Sequence, residues 1–198
     1  MKELFSVLLA LGFVLAGLCS EVAWGDEKPG LTSASAAKSA KITARLQSWE
    51  ETQKSLKRHK GKVVVLDVWS TACIPCMREF PGLVKIQKKH KQKVHCISVN
   101  IDFYGDGDGP SASLQHRVSK FLTKQQARIE NIICSDPDEK VYEQVPFASI
   151  PAVYVYDSAG KLRELFYNDD DNFGEEGFSY ERHITPLVEE MIAADEKK

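Results

Sequence analysis

Two thiols stand three positions apart in Cys73-Ile74-Pro75-Cys76, with Trp69 four positions upstream. Such a pair can cycle between dithiol and disulfide, hold half of a metal site, or staple a turn. A zinc site needs about four ligands. No second Cys-x-x-Cys supplies the remainder, and the five histidines, His59, His90, His95, His116 and His183, show no ligand spacing. No metal is therefore expected. Asp106 and Asp108 in "FYGDGDGPS" lack followers at the positions a calcium loop requires. The redox reading has positive support. The apolar run "KVVVLDVW" leads directly into Cys73, and "MREFPGLVKIQKK" continues with helical periodicity. Cys73 thus falls at a strand's carboxyl end and Cys76 on the first helical turn. Unpaired N–H groups and positive potential there stabilise a thiolate. They bring its pKa from about 8.5 into roughly the 3.5–7.5 range. Cys73 is the expected attacking sulfur and Cys76 the resolving one. Pro75 denies the turn a competing N–H.

Other groups stand near this turn in sequence. Asp67 lies among valines, where a carboxylate should have a raised pKa and could take the proton of Cys76. Glu79, three residues after Cys76, could share that task or face solvent. Trp69 could be core, but its place just before the turn favours a contact surface for substrate.

The elements that must position these groups alternate. An amphipathic helix is expected over Ser39–His59 from Ile42, Leu46, Trp49 and Leu56, ended by Gly61. Strands follow at Lys62–Trp69, Val94–Asp102 and Ile129–Cys134, with helices at Met77–Lys91 and Ser113–Lys124 and a short one in "PDEKVYEQV". "SIPAVYVYDSAGKLRELFY" reads as a hairpin, strands Ala152–Tyr156 and Lys161–Tyr167 about a turn at Asp157–Gly160. A last helix runs from Tyr180 to about Ala194. The expected class is α/β, a central sheet with helices on both faces and right-handed crossovers between its first strands.

Composition sets the outer bounds. The 198-residue chain is 43% hydrophobic and 27% charged with a formal charge of −2, so bulk electrostatics give no case for nucleic acid. The basic runs Lys57–Lys60 and Lys88–Lys91 fall where helices end and suit the helix dipole. The N-terminus has Lys2, an apolar run Leu4–Leu18 and then Ala23-Trp24-Gly25, the order of a secretory signal. The run is shorter than the roughly 20 residues of a membrane span. Residues 1–25 are read as a signal cleaved near Gly25, 26–38 as a flexible leader, and 39–198 as the folded domain. Glu3 leaves an uncleaved anchor as the alternative, and Leu18 before Cys19 does not fit a lipid anchor. Export brings an oxidising compartment.

"VVVLDVWSTACIPC" resembles the thioredoxin superfamily pattern of apolar strand, acid or amide, aromatic, Trp and Cys-x-Pro-Cys. "CIPCMREFP" is similar to the CxPCxxEFP of TlpA-type periplasmic thioredoxin-like thiol–disulfide oxidoreductases, and "SIPAVYVYDSAGKL" resembles their cis-proline loop and hairpin. The resemblance covers Lys62–Tyr167. It implies a thioredoxin fold and a Cys73–Cys76 disulfide exchanged with protein substrates, chiefly as a reductant. Pro151 would be the cis residue facing that disulfide. Ile150 and Pro151 would offer backbone to a substrate strand, beside Ile74 and Pro75. It further implies a periplasmic monomer whose partners are protein thiols or disulfides and an upstream redox protein, with no dissociable cofactor. Two departures stand out: Ala72 occupies the place of a Trp, and a helix replaces the usual hairpin before the first strand. A redox-inert binding module or a metallochaperone is the rival; the intact Cys-Ile-Pro-Cys opposes the first and the missing third ligand the second.

Cys96 and Cys134 are expected to be buried free thiols, offset by three residues on neighbouring strands. The loop "NDDDNFGEEG" would bring negative charge to the active-site side.

Overall fold

The computed structural model describes residues 41–168, 173–174 and 176–197. The expected signal, its cleavage site, the leader up to residue 38, and Asp169, Asp170, Asp171 and Glu175 of the acidic loop lie outside the described residues.

β-Branched residues build the middle of the sheet. Strand β2 (Val63–Trp69) is buried at every position, as a strand covered on both faces should be. It pairs in parallel with β3 (Val94–Asn100), which pairs in parallel with β4 (Glu130–Cys134). On its other side β2 meets β5 (Ala152–Tyr156) antiparallel, and β5 returns as β6 (Leu162–Tyr167). With β1 (Arg45–Gln47) at the edge, the order is β1-β4-β3-β2-β5-β6, a mixed six-stranded sheet.

Alternation along β2 divides the core in two. Val63, Val65 and Trp69 face helices α2 (Ile74–Lys89), α3 (Ala112–Lys124) and α5 (Thr185–Asp195), through Phe80, Leu83, Val118, Leu122 and Val188. Val64, Leu66 and Val68 face Trp49 of α1 (Trp49–Ser55) and Val141 of α4 (Asp138–Tyr142). Helices cover both faces, as expected, and the fold is the thioredoxin fold.

The expected helix over Ser39–His59 is corrected. Arg45–Gln47 is strand β1, in register with Ile132–Cys134, and Leu46 is exposed. The helix starts only at Trp49, because Ser48 and Glu51 form a reciprocal capping box. Ser48 Oγ accepts from Glu51 N at 3.2 Å and Glu51 Oε2 accepts from Ser48 N at 3.0 Å. A 3₁₀ turn, Leu56–His59, ends this arm.

Cys96 and Cys134 are free and buried, but their expected offset is too small. Ile97 pairs with Glu130 and Asn100 with Ile133, so five rows separate the sulfurs' residues, roughly 16 Å. They also lie in opposite halves of the core.

Candidate active site

Helix α2 begins where β2 has delivered the chain to the sheet's carboxyl edge. Cys73 is its N-cap. Its Sγ accepts a hydrogen bond from the N–H of Cys76 at 3.2 Å, while Pro75 between them has no N–H to offer. Cys73 and Cys76 are joined as a disulfide with Cα atoms 5.3 Å apart. Cys73 is half-buried and Cys76 buried. The Ile150–Pro151 bond is cis, and the Ile150 carbonyl lies 3.6 Å from Cys73 Sγ. Ile74 is 75% exposed at the tip of the turn, whereas Pro151 is buried. The structure thus gathers Cys73, Ile74, Pro75, Cys76, Ile150 and Pro151 in one place.

Trp69 corrects an expectation. It is fully buried, its ring packed against Phe80 and Phe121 with centroids 5.0 and 4.8 Å away. Facing inward at the end of β2, it seats α2 and α3 and leaves no surface for a substrate.

Asp67 lies beneath the helix on the same face of β2 as Trp69. Burial raises its pKa from the ordinary 3.8 to about 7, opposed by a hydrogen bond from Tyr180 and supported by the charge of Glu79. Tyr180 Oη donates to Asp67 Oδ2 at 2.6 Å. Asp67 Oδ1 has no partner among the described residues and is free to receive a proton. Glu79 sits over the same tyrosine: its Oε2 accepts from the backbone N–H of Tyr180 at 3.2 Å, and its Oε1 accepts from Arg78 at 3.1 Å. One carboxylate anchors the tyrosine's backbone and the other receives its hydroxyl.

Tyr180 is the residue that sequence reasoning missed. It opens a π-helical turn, Tyr180–Ile184, ahead of α5. Gly82 of α2 permits the approach, since a Cβ there would fall 2.2 Å from Tyr180 Cβ. A second missed group is Asp102, buried just past β3. It accepts from Thr71 N at 2.9 Å and from Thr71 Oγ1, while Arg117 Nε donates to Thr71 Oγ1 at 3.0 Å. This cluster fixes the Ser70–Ala72 turn that presents Cys73. Its only sequence signal is an aspartate ending an apolar strand.

A model of the AhpC/TSA family matches residues 36–165. The chain belongs to the AhpC/TSA family. It is a member of the thioredoxin superfamily, as "VVVLDVWSTACIPC" implied. The chain is 38% identical over 121 residues to the thioredoxin-like protein YneN of Bacillus subtilis, covering 61% of this chain and 65% of YneN. It is 28% identical over 132 residues to the thiol-disulfide oxidoreductase ResA of Bacillus thuringiensis, covering 66% of this chain and 68% of ResA. The match therefore spans about two thirds of the length of either relative. Among solved structures, a thioredoxin-like protein in its oxidised form shares the fold with TM-score 0.50 at 18% identity, over 67% of this chain and 79% of that one.

Proposed function

We propose that the protein is an exported thiol–disulfide oxidoreductase acting on protein substrates, and that it works as a reductant. One observation carries the reading: the Cys73–Cys76 disulfide caps a helix N-terminus, half-exposed, beside the backbone of Ile150. The names of YneN and ResA and the TlpA-like "CIPCMREFP" support it.

In the reduced protein, the Cys73 thiolate attacks one sulfur of a substrate disulfide and releases the other as a thiolate. The Cys76 thiol passes its proton to Asp67, and its sulfur attacks Cys73 Sγ, releasing the second substrate thiolate. The substrate gains two electrons and the protein returns to its disulfide, to be reduced again by an upstream thiol donor. Asp67 is the proton acceptor because its pKa near 7 matches the working pH. Glu79 acts by holding Tyr180 and by its charge. Ile74, Pro75, Ile150 and Pro151 form the contact surface for an extended substrate strand. Residues 1–25 serve as the export signal, and residues 26–38 as leader to a monomeric domain.

The test is capture of substrate. Cys76→Ser should accumulate mixed disulfides on Cys73, because attack survives and resolution does not; Cys73→Ser should accumulate none. Equal capture by both variants would overturn the assignment. For direction, equilibration of the pair against glutathione should give a potential at or below about −220 mV; a potential near −120 mV would make the protein an oxidant.

A further inference from the structure

Far from the disulfide, at the start of the parallel strands, three side chains from three elements converge. His59 ends the 3₁₀ turn after α1, His95 is the second residue of β3, and Glu130 opens β4. His95 is in register with Val64 of β2, five residues before Trp69, so roughly 16 Å of strand separates this site from the turn leading to Cys73. The ligand-capable atoms, one from each residue, all lie within 4.8 Å of one another. His95 Nε2 is 2.6 Å and His59 Nε2 3.3 Å from the same oxygen, Glu130 Oε2. The two imidazoles are stacked, centroids 3.7 Å apart and planes at 13°.

The arrangement is incomplete as a hydrogen-bond network. His95 satisfies Glu130 Oε2, and Arg45 binds the other carboxylate oxygen, Oε1. His59 Nε2 is left buried with no hydrogen-bond partner among the described residues, although Glu130 Oε2, already engaged by His95, lies 3.3 Å away. An ion-pair role would need only one histidine. Two imidazole nitrogens and one carboxylate oxygen are the donor set of a zinc site with one open position. In a tetrahedral site with bonds of about 2.0–2.1 Å, neighbouring ligand atoms stand about 3.3 Å apart. His59 Nε2 and Glu130 Oε2 already have that spacing; His95 must draw back from the carboxylate, and one imidazole must turn out of the stack so that both nitrogens aim at one ion. The three side chains are 15%, 24% and 11% exposed, shielded yet reachable. The guanidinium of Arg45 fixes the carboxylate so that Oε2 alone faces the histidines, and its charge sets a limit on affinity.

We propose that His59 Nε2, His95 Nε2 and Glu130 Oε2 form a binding site for one divalent zinc-class ion, tying the end of the α1 arm to the starts of β3 and β4. Spacing in the sequence gives no hint of it, because the ligands are 36 and 35 residues apart along the chain and meet only where the 3₁₀ turn packs over the starts of β3 and β4.

The test uses the full chain with Cys73–Cys76 oxidised, so that its thiolates cannot compete, stripped with chelator and titrated with Zn²⁺ alone. Calorimetry should show one equivalent bound. His95→Gln and Glu130→Gln should each weaken binding by about tenfold or more, by analogy with losses of about 10–100-fold for groups that merely orient ligands. In the unmutated protein, Zn²⁺ should move the ring proton signals of His59 and His95 and leave those of His90, His116 and His183 in place, a readout independent of how the variants fold. Absence of stoichiometric binding, or signal changes at the other histidines alone, would overturn the proposal.

Discussion

Cys73 and Cys76 share a chain with Cys96 and Cys134, and the two pairs occupy opposite environments. The first pair sits where a strand ends and a helix begins; Cys73 Sγ receives a backbone N–H, and no valine strand encloses it. The second pair lies within strands, wholly buried. Burial pushes the Cys134 thiol up to about 11, and the Cys96 thiol higher still, with the nearby Asp67 adding to the effect. Residue type is the same in both pairs, so placement alone separates a sulfur at a helix N-terminus from one packed inside a strand. A helix N-terminus favours the anion; an apolar strand disfavours it.

The largest effect expected from that contrast concerns turnover. Cys73→Ser should reduce disulfide exchange to background, while Cys96→Ala and Cys134→Ala should leave its rate within about twofold, since neither buried thiol can form a thiolate near neutral pH. Insulin reduction by each variant checks this. A Cys96→Ala protein with exchange lost would break the division between the pairs.

Asp67 extends the comparison to the proton. Its raised pKa means that the folded protein holds a proton the unfolded chain releases near pH 3.8. Below that pH the group contributes no difference between the states. As pH rises from about 4 to about 7 the folded state loses about 1.4 kcal/mol per pH unit relative to the unfolded one, and above 7 the loss is complete at roughly 4 kcal/mol. Asp67→Asn should remove that loss. The variant should be more stable than the parent at pH 8 by a few kcal/mol and no more stable at pH 4, as denaturant unfolding at the two pH values would read. Its exchange at neutral pH should fall by about 10²-fold, the smaller end of what a positioned base contributes. Equal stability gains at both pH values would show that the Asp67 pKa is the same in the folded and unfolded chains.

Much of this was legible in the sequence because it is local. The strand "KVVVLDVW", the turn "CIPC" and the hairpin after Pro151 each carry their own signal within about a dozen residues, and each lies where expected. What failed is what depends on distant partners. β1 is a three-residue edge strand, Arg-Leu-Gln, with no pattern of its own; its hydrogen bonds to β4 make it a strand. The Ser48–Glu51 capping box starts the helix at Trp49, and Ser48-x-x-Glu51 is its local signal. Trp69 adjoins the active turn in sequence, which suggests a surface role, yet strand alternation puts it on the side that α2 and α3 cover. Tyr180 reaches Asp67 across 113 residues, a contact that periodicity cannot reveal. His59, His95 and Glu130 meet only through the packing of a 3₁₀ turn against two neighbouring strands.

Tyr180→Phe probes the non-local part of the site. Its hydroxyl lowers the Asp67 pKa by donating to the carboxylate, so its loss should move the rising limb of the pH–rate profile upward. The rate at neutral pH should fall by a few-fold, with the profile converging on the parent's at higher pH. A lower rate with an unmoved profile would assign Tyr180 to packing. The smallest effect belongs to Cys134→Ala, which should cost about 1–2 kcal/mol of stability through a small cavity and leave the pH–rate profile unchanged; thermal unfolding and the same rate assay measure both.

The central claim, that the end of β2 and the first turn of α2 make a nucleophile of Cys73, is tested most directly by titrating the thiolate absorbance of the reduced protein near 240 nm. One thiol should ionise within roughly pH 3.5–7.5, and that step should persist in Cys76→Ser and vanish in Cys73→Ser. A reduced protein with no thiolate below about pH 8, or a low-pH step that vanishes with Cys76 instead, would contradict the account.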